Sequence, residues 1–305
     1  MRLSVWPSPA RPWEETARIV AYCDGTGWYG AWFADHFMPD DPGGSAPKDG
    51  PVLESFAVLA ALSARTANIR IGSLVVGNLY RHPAVVANAA ATIDQISGGR
   101  FVLGLGAGWQ VNEHAAYGID LLSPGERADR LEEACAVIRS LLGNPRTTFA
   151  GEHYSVSDAP CQPGPVRGRL PLLVGGGGEK RTLKTAARFA DEWNSWTTPE
   201  VFRHKVSVLE RHCEEVGRDP SEIRRSTQAM VFLSKDEQWL SRFRGQSGRP
   251  GVVGTPGEVV EQLAAYAEAG VDEFIVPDWT MGPADRTIET LELFREEVAP
   301  HLGGL

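Results

Sequence analysis

Along most of the chain, short apolar runs alternate with longer stretches in which apolar residues recur every three or four positions. Arg2–Trp6 predicts a strand ended by Pro7 and Pro9, and residues 13–23 carry Ala17, Val20 and Ala21 on one helix face. Residues 27–33 predict a second strand with an abrupt polar end, Asp35-His36. A Pro/Gly-rich segment, 39–51, reads as a long exposed loop before a helix over 53–66. The branched run 69–76 predicts a third strand, followed by Gly77-Asn78 and a helix over 83–96; residues 101–105 predict a fourth strand.

The second half repeats the alternation. Arg127, Leu131, Ala134, Ile138 and Leu141 share a helix face, residues 147–157 predict a hairpin excursion, and 170–174 predict the fifth strand. A helix over 180–190, a short strand over 192–196 and a helix carrying Phe202, Val206, Leu209, Cys213 and Val216 come next. Residues 225–233 predict the seventh strand, and the Gly/Arg-rich stretch 241–254 reads as mobile. Thr255-Pro256 starts a helix ended by Gly270, 273–276 predict the eighth strand, and 286–298 predict the closing helix. Eight strands, each followed by a helix, predict a (β/α)8 TIM barrel with insertion segments, a single domain over residues 1–305. An open doubly wound sheet would need a phosphate fingerprint after its first strand, and Trp6-Pro7-Ser8-Pro9 is not one.

Composition narrows the functional classes. A formal charge of −9 argues against nucleic acid and anionic membrane as partners. No apolar run approaches membrane-spanning length and the N-terminus has no signal core, so the expected location is the cytoplasm. Four scattered cysteines with no C-x-x-C pair predict buried free thiols, and no metal site is expected.

In a barrel the chemistry collects at the C-terminal strand ends. There the chain places Asp35-His36, Gly77-Asn78, the G-A-G-W turn of Gly106, Ala107, Gly108 and Trp109, four glycines (Gly175, Gly176, Gly177, Gly178), Trp196 and Trp279. Glycine and aromatic residues dominate this set, which suits a flat polycyclic ligand lying against backbone. The G-x-G-x-G spacing around Gly106 is not the dinucleotide pattern. Gly106 and Gly108 instead read as keeping the strand end low so that a flat ring can cross the mouth, with a loop rather than a helix after them. The glycines at 175–178 read either as a phosphate cradle or as a permissive turn. His36 reads as a proton donor or acceptor, or as a hydrogen-bonded loop residue beside a capping Asp35. Glu113 and His114 adjoin the pocket, but neighbours in sequence diverge, so both cannot face one ligand. Trp109, Trp196 and Trp279 read as stacking on a substrate or as packing.

Taken together, WFADHF, RIGSLVVGNLYRHPAVVANAAATIDQISGGRFVLGLGAGW, NEHAAYGI, LLVGGGGEKRTLKTAARFADEWN and GTPGEVVEQLAAYAEAGVDEFIV resemble the luciferase-like monooxygenase superfamily, and more closely its F420-dependent oxidoreductase branch. The resemblance spans nearly the whole chain. It implies a (β/α)8 barrel, coenzyme F420 as cofactor with FMN as the alternative, a small-molecule substrate and a homodimer. It places Asp35 and His36 at the reactive ring, with Asp35 fixing the tautomer of His36. A non-proline cis peptide at about Leu74–Val75 is implied behind the ring, with Gly77 and Asn78 facing it. Gly106, Ala107, Gly108 and Asn112 would flank the cofactor; Gly175, Gly176, Gly177, Gly178 and Arg181 would hold its phosphate. Sugar-phosphate-oxidising members carry an acid where this chain has Trp109, so an apolar substrate is expected. The rival readings are an FMN monooxygenase fed by a separate reductase, a cofactor carrier or sensor, and a metal-free lyase or isomerase using Glu113.

Overall fold

The computed structural model describes residues 1–40, 48–245 and 248–303. The predicted loop over 39–51 and the stretch over 241–254 therefore lie partly outside the described residues. Eight parallel strands form the centre: β1 Arg2–Trp6, β2 Gly30–Phe33, β3 Arg70–Ser73, β4 Phe101–Gly106, β5 Leu172–Gly175, β6 Glu192–Asn194, β7 Arg224–Gln228 and β8 Glu273–Pro277. Each pairs with the next, and β8 pairs with β1, so the sheet closes on itself. The flanking helices are α1 Trp13–Thr26, α2 Ser55–Arg65, α3 Pro83–Ser97, α4 Pro124–Gly143, α5 Thr182–Phe189, α6 Pro199–Val216, α7 Pro256–Glu268 and α8 Ala284–Glu297. Their start signals act as the sequence implies: Ser123 and Thr255 each form a capping box with a Glu three residues on, and each precedes a proline.

Strand alternation separates two cores. Leu3, Val5, Leu103 and Leu105 face the helices, whereas Trp6, Trp32, Leu74, Val102, Leu173 and Ile275 pack together inside the barrel. Gly72 makes room for the indole of Trp32, since a Cβ there would lie 2.4 Å from Trp32 Cζ3. At the base, Arg70 pairs with Glu192 and lies 3.5 Å from Glu273, whose other oxygen accepts from Ser4 at 2.6 Å and Trp32 Nε1 at 2.7 Å. This polar plug leaves the opposite end as the mouth.

Three local expectations change. The third strand is broken: Arg70–Ser73 and Val76–Gly77 flank a cis Leu74–Val75 bond, at the position the resemblance implied. The seventh is also broken, because Met230–Leu233 leaves the barrel and pairs in parallel with Gly251–Gly254, part of the segment read as mobile. A short helix, Val111–Tyr117, follows β4 where a loop was expected. The hairpin forms from Thr147–Ala150 and Ser155–Ala159. All four cysteines are buried and free. Among the described residues no helix is long and apolar enough to cross a membrane, and no group of three metal-ligating side chains assembles.

Candidate active site

The mouth holds a cavity of about 720 Å³. Of the residues singled out from the sequence, Asp35, His36, Leu74, Val75, Gly77, Gly106, Ala107, Gly108, Trp109, Gly175, Gly176, Trp196 and Trp279 line it. Asn78, Asn112, Gly177, Gly178 and Arg181 do not. Asn78 is buried with its amide on Tyr154, and Asn112 is buried with its amide on the Pro39 carbonyl. The Arg181 guanidinium turns outward to pair with Asp129.

Asp35 and His36 follow just after β2, and their side chains separate. Asp35 is buried and takes both guanidinium nitrogens of Arg81, at 2.7 and 3.1 Å, plus the Gly77 amide at 3.1 Å. Burial pushes its carboxyl up from the ordinary value, against the pull of Arg81. His36 Nδ1 lies instead 2.8 Å from Glu113 Oε1. The expectation that Asp35 fixes the imidazole is corrected: among the described residues that contact belongs to Glu113, brought in by the short helix after β4. Glu113 also accepts from Tyr80 and from the Phe37 amide at 2.7 Å. Burial opposes its ionisation, but these bonds outweigh it and hold the carboxyl below its ordinary value. Its neighbour His114 turns away to the Ile119 carbonyl at 3.0 Å. Trp109 stands edge-on to His36, ring centroids 5.7 Å apart.

The glycines act differently from expectation. A Cβ on Gly106 would come within 2.6 Å of Val75 Cγ2, and one on Gly175 within 2.8 Å of Val75 Cγ1. One on Gly104 would meet the Ser73 carbonyl at 2.1 Å. These glycines make room for the kinked third strand, and it is Val75 that presents a wall to the cavity. Gly108, at φ +85°, serves the backbone turn itself.

In the 175–178 turn the last three carbonyls are engaged. Trp193 Nε1 donates to Gly176 at 2.9 Å, Lys205 Nζ to Gly177 at 2.6 Å, and the Leu183 amide to Gly178 at 3.0 Å. The Gly176 amide donates to the Asn194 carbonyl at 2.8 Å, so the amides of Gly177 and Gly178 are what this turn can offer an anion, with Thr182 beside them in the cavity wall. Lys205, contributed by α6, escaped the sequence reading because the helix stripe explained that segment.

The opposite wall is aromatic. Trp6, at the end of β1, joins Trp196 and Trp279 with centroids 5.8 and 4.8 Å away. Arg249 lies over Trp196 and Trp279 at 5.2 and 5.5 Å and pairs with Asp40. Trp6 was legible only as a strand residue, and Arg249 gave no signal in a Gly/Arg-rich stretch.

A closed parallel barrel whose mouth holds a largely apolar cavity, with a histidine–carboxylate pair and a glycine turn both on its wall, has the architecture of a barrel enzyme with its site at the strand ends. Residues 1–247 match the family of luciferase-like monooxygenases, and the chain belongs to that family. An F420-dependent glucose-6-phosphate dehydrogenase of Microbacterium testaceum is 28% identical, over 90% of this chain and 89% of that protein. The structure of an F420-dependent secondary alcohol dehydrogenase in complex with an F420-acetone adduct superposes with a TM-score of 0.83 at 19% identity, covering 99% and 98% of the two chains. The FMN complex of the oxygenating constituent of a Pseudomonas putida 3,6-diketocamphane monooxygenase superposes at 0.77 and 18% identity, covering 98% of each. At those identities the two structures speak to the fold.

Proposed function

We propose that this protein is an F420-dependent oxidoreductase that moves a hydride between the deazaflavin and an apolar small-molecule acceptor. The observation that carries the reading is the placement of His36, held by a buried carboxylate, on a slot walled by Val75 and the tryptophans and ending at the 175–178 turn. The slot fits the cofactor: Gly175 and Gly176 line it with backbone alone, and beyond them the carbonyls of Gly177 and Gly178 are engaged while their amides carry no bond within the described residues. Val75, Ala107 and Gly176 would bear on the ring, and Thr182 with the Gly177 and Gly178 amides would hold the phosphate. When bound, the deazaflavin supplies or accepts the hydride. His36 exchanges the accompanying proton through the ring nitrogen not held by Glu113. Trp109, Trp196 and Trp279 would hold the acceptor and exclude water, and Trp109 disfavours a sugar phosphate.

The relatives named for F420 support the deazaflavin over FMN, the second reading. Parallel titration of the protein with the two cofactors tests it. Tighter binding of the deazaflavin is expected, and preferential binding of FMN overturns the reading in favour of a monooxygenase.

A further inference from the structure

Glu113 has no exposed surface, yet its two oxygens receive four hydrogen bonds. The donors are His36 Nδ1 at 2.8 Å, the Tyr80 hydroxyl, and the amides of Phe37 at 2.7 Å and Met38 at 3.3 Å. A carboxylate so surrounded stays ionised, because each donor stabilises the charge that burial opposes. An ionised oxygen facing Nδ1 requires a hydrogen on that nitrogen, which leaves Nε2 as the unpaired position of the neutral ring. Tyr80 competes for that charge, since its hydroxyl bonds the same oxygen, Oε1, that receives His36.

We propose that Glu113 is the positioning residue of His36 and that Tyr80 tunes it, so that Nε2 is the atom exchanging a proton with the acceptor. The proposal rests on the reading of His36 as the proton-exchanging group. In the reducing direction, one end of the acceptor's double bond would take a hydride from the bound deazaflavin, whose remaining ring N–H proton would go to solvent, so that the acceptor gains the two electrons the deazaflavin loses. The other end of that bond would take the Nε2 proton of doubly protonated His36. His36 is then left neutral with its Nδ1–H still donating to Glu113, and solvent restores the proton on Nε2.

The other charged groups from the elements packed around this corner are engaged elsewhere. Asp35 is held by Arg81, Arg81 also by Glu54, and Asp40 by Arg249; Arg127 donates to the Gly108 carbonyl. His114 bonds the Ile119 carbonyl. Glu113 is therefore the carboxylate in contact with the ring.

Proton–nitrogen correlation NMR of the full-length protein, labelled at histidine and titrated across neutral pH, tests this without any cofactor. The His36 signal is assigned by its loss in His36→Gln. The expected tautomer of the neutral ring is Nδ1–H; the Nδ1–H proton resonance moves upfield in Glu113→Gln, where the acceptor loses its charge, and downfield in Tyr80→Phe, where the ring no longer shares Oε1. An Nε2–H tautomer in the wild type overturns the proposal, as does an unmoved or downfield resonance in Glu113→Gln, or shifts of the same sign in both variants. A merely structural Glu113 predicts no such opposition of signs. Should Glu113→Gln not fold, Tyr80→Phe decides: a downfield shift supports the proposal and an unmoved or upfield one overturns it. Failure of the deazaflavin titration would strike the cofactor reading and leave these shifts as they are.

Discussion

Gly106→Ala separates two meanings of a glycine at the mouth of this barrel. If the glycine leaves room for a ligand, the added methyl group meets the ligand. The structure makes it meet Val75, at 2.6 Å from Cγ2. Carbon atoms rest at about 3.5–4.0 Å, so about 1 Å has to be absorbed by a side chain raised on the broken third strand. Overpacking of that kind costs about 1–3 kcal/mol. Gly106 does not have a positive φ, so alanine also gains about 0.4–1 kcal/mol from a less flexible unfolded chain. The net expectation is a loss on the order of 1 kcal/mol. In a Val75→Ala background both γ-methyl groups are gone, and the same substitution becomes neutral or stabilising. Urea unfolding of the four proteins in this cycle measures the coupling directly. Equal cost of Gly106→Ala in both backgrounds refutes the reasoning. Unchanged stability with weakened deazaflavin binding would show that the glycine faces the ligand after all.

Other perturbations test the remaining parts. Lys205→Met frees the Gly177 carbonyl and should weaken binding of the phosphate-bearing deazaflavin about tenfold, the value of one charge-assisted hydrogen bond, while a phosphate-free analogue binds as before; equal losses for both would contradict the phosphate assignment. Arg81→Met leaves Asp35 buried without its partner and should cost about 3–5 kcal/mol in urea unfolding at neutral pH. Burial already raises the Asp35 carboxyl, so that cost should shrink as pH falls and Asp35 takes a proton; a pH-independent cost would place the loss elsewhere. Asp191 is held below its ordinary value: burial opposes ionisation, but Arg139 and Arg169 outweigh it. A depressed carboxylate contributes stability above its unfolded pKa, about 4, and that contribution is lost as pH falls through the folded value. Asp191→Asn should therefore flatten the acid side of a thermal-unfolding profile, and an unaltered acid slope would refute the assignment.

The barrel was legible because its signals are local. Branched runs, helix stripes, capping residues and glycine stops each act over a few residues, and eight repeats of strand and helix leave few architectures. The site was legible in part, since strand ends are also local. Its working contacts were not, because they join distant positions: His36 meets Glu113 across 77 residues of chain. Asp35 misled through adjacency. The rule that separates Glu113 from His114 also separates Asp35 from His36, because consecutive side chains point in different directions whatever the backbone. The pairing of Met230–Leu233 with Gly251–Gly254 was hidden for a related reason: a glycine at each end and a Gly/Arg-rich approach read as loop, and only the partner strand makes them sheet. The short helix at Val111–Tyr117 is too brief for a periodic pattern to declare itself.

The tryptophan wall gives the protein a built-in optical readout. Trp6, Trp109, Trp196 and Trp279, four of the nine tryptophans, line the cavity at the mouth. A ring that absorbs where indoles emit will quench them on entering it, so occupancy can be followed by intrinsic fluorescence with no label attached. Three of these emitters form one cluster, whereas Trp109 stands apart beside His36. Trp109→Phe subtracts one side of the mouth from the signal, and the difference between the two traces resolves arrival beside the histidine from arrival against the opposite wall.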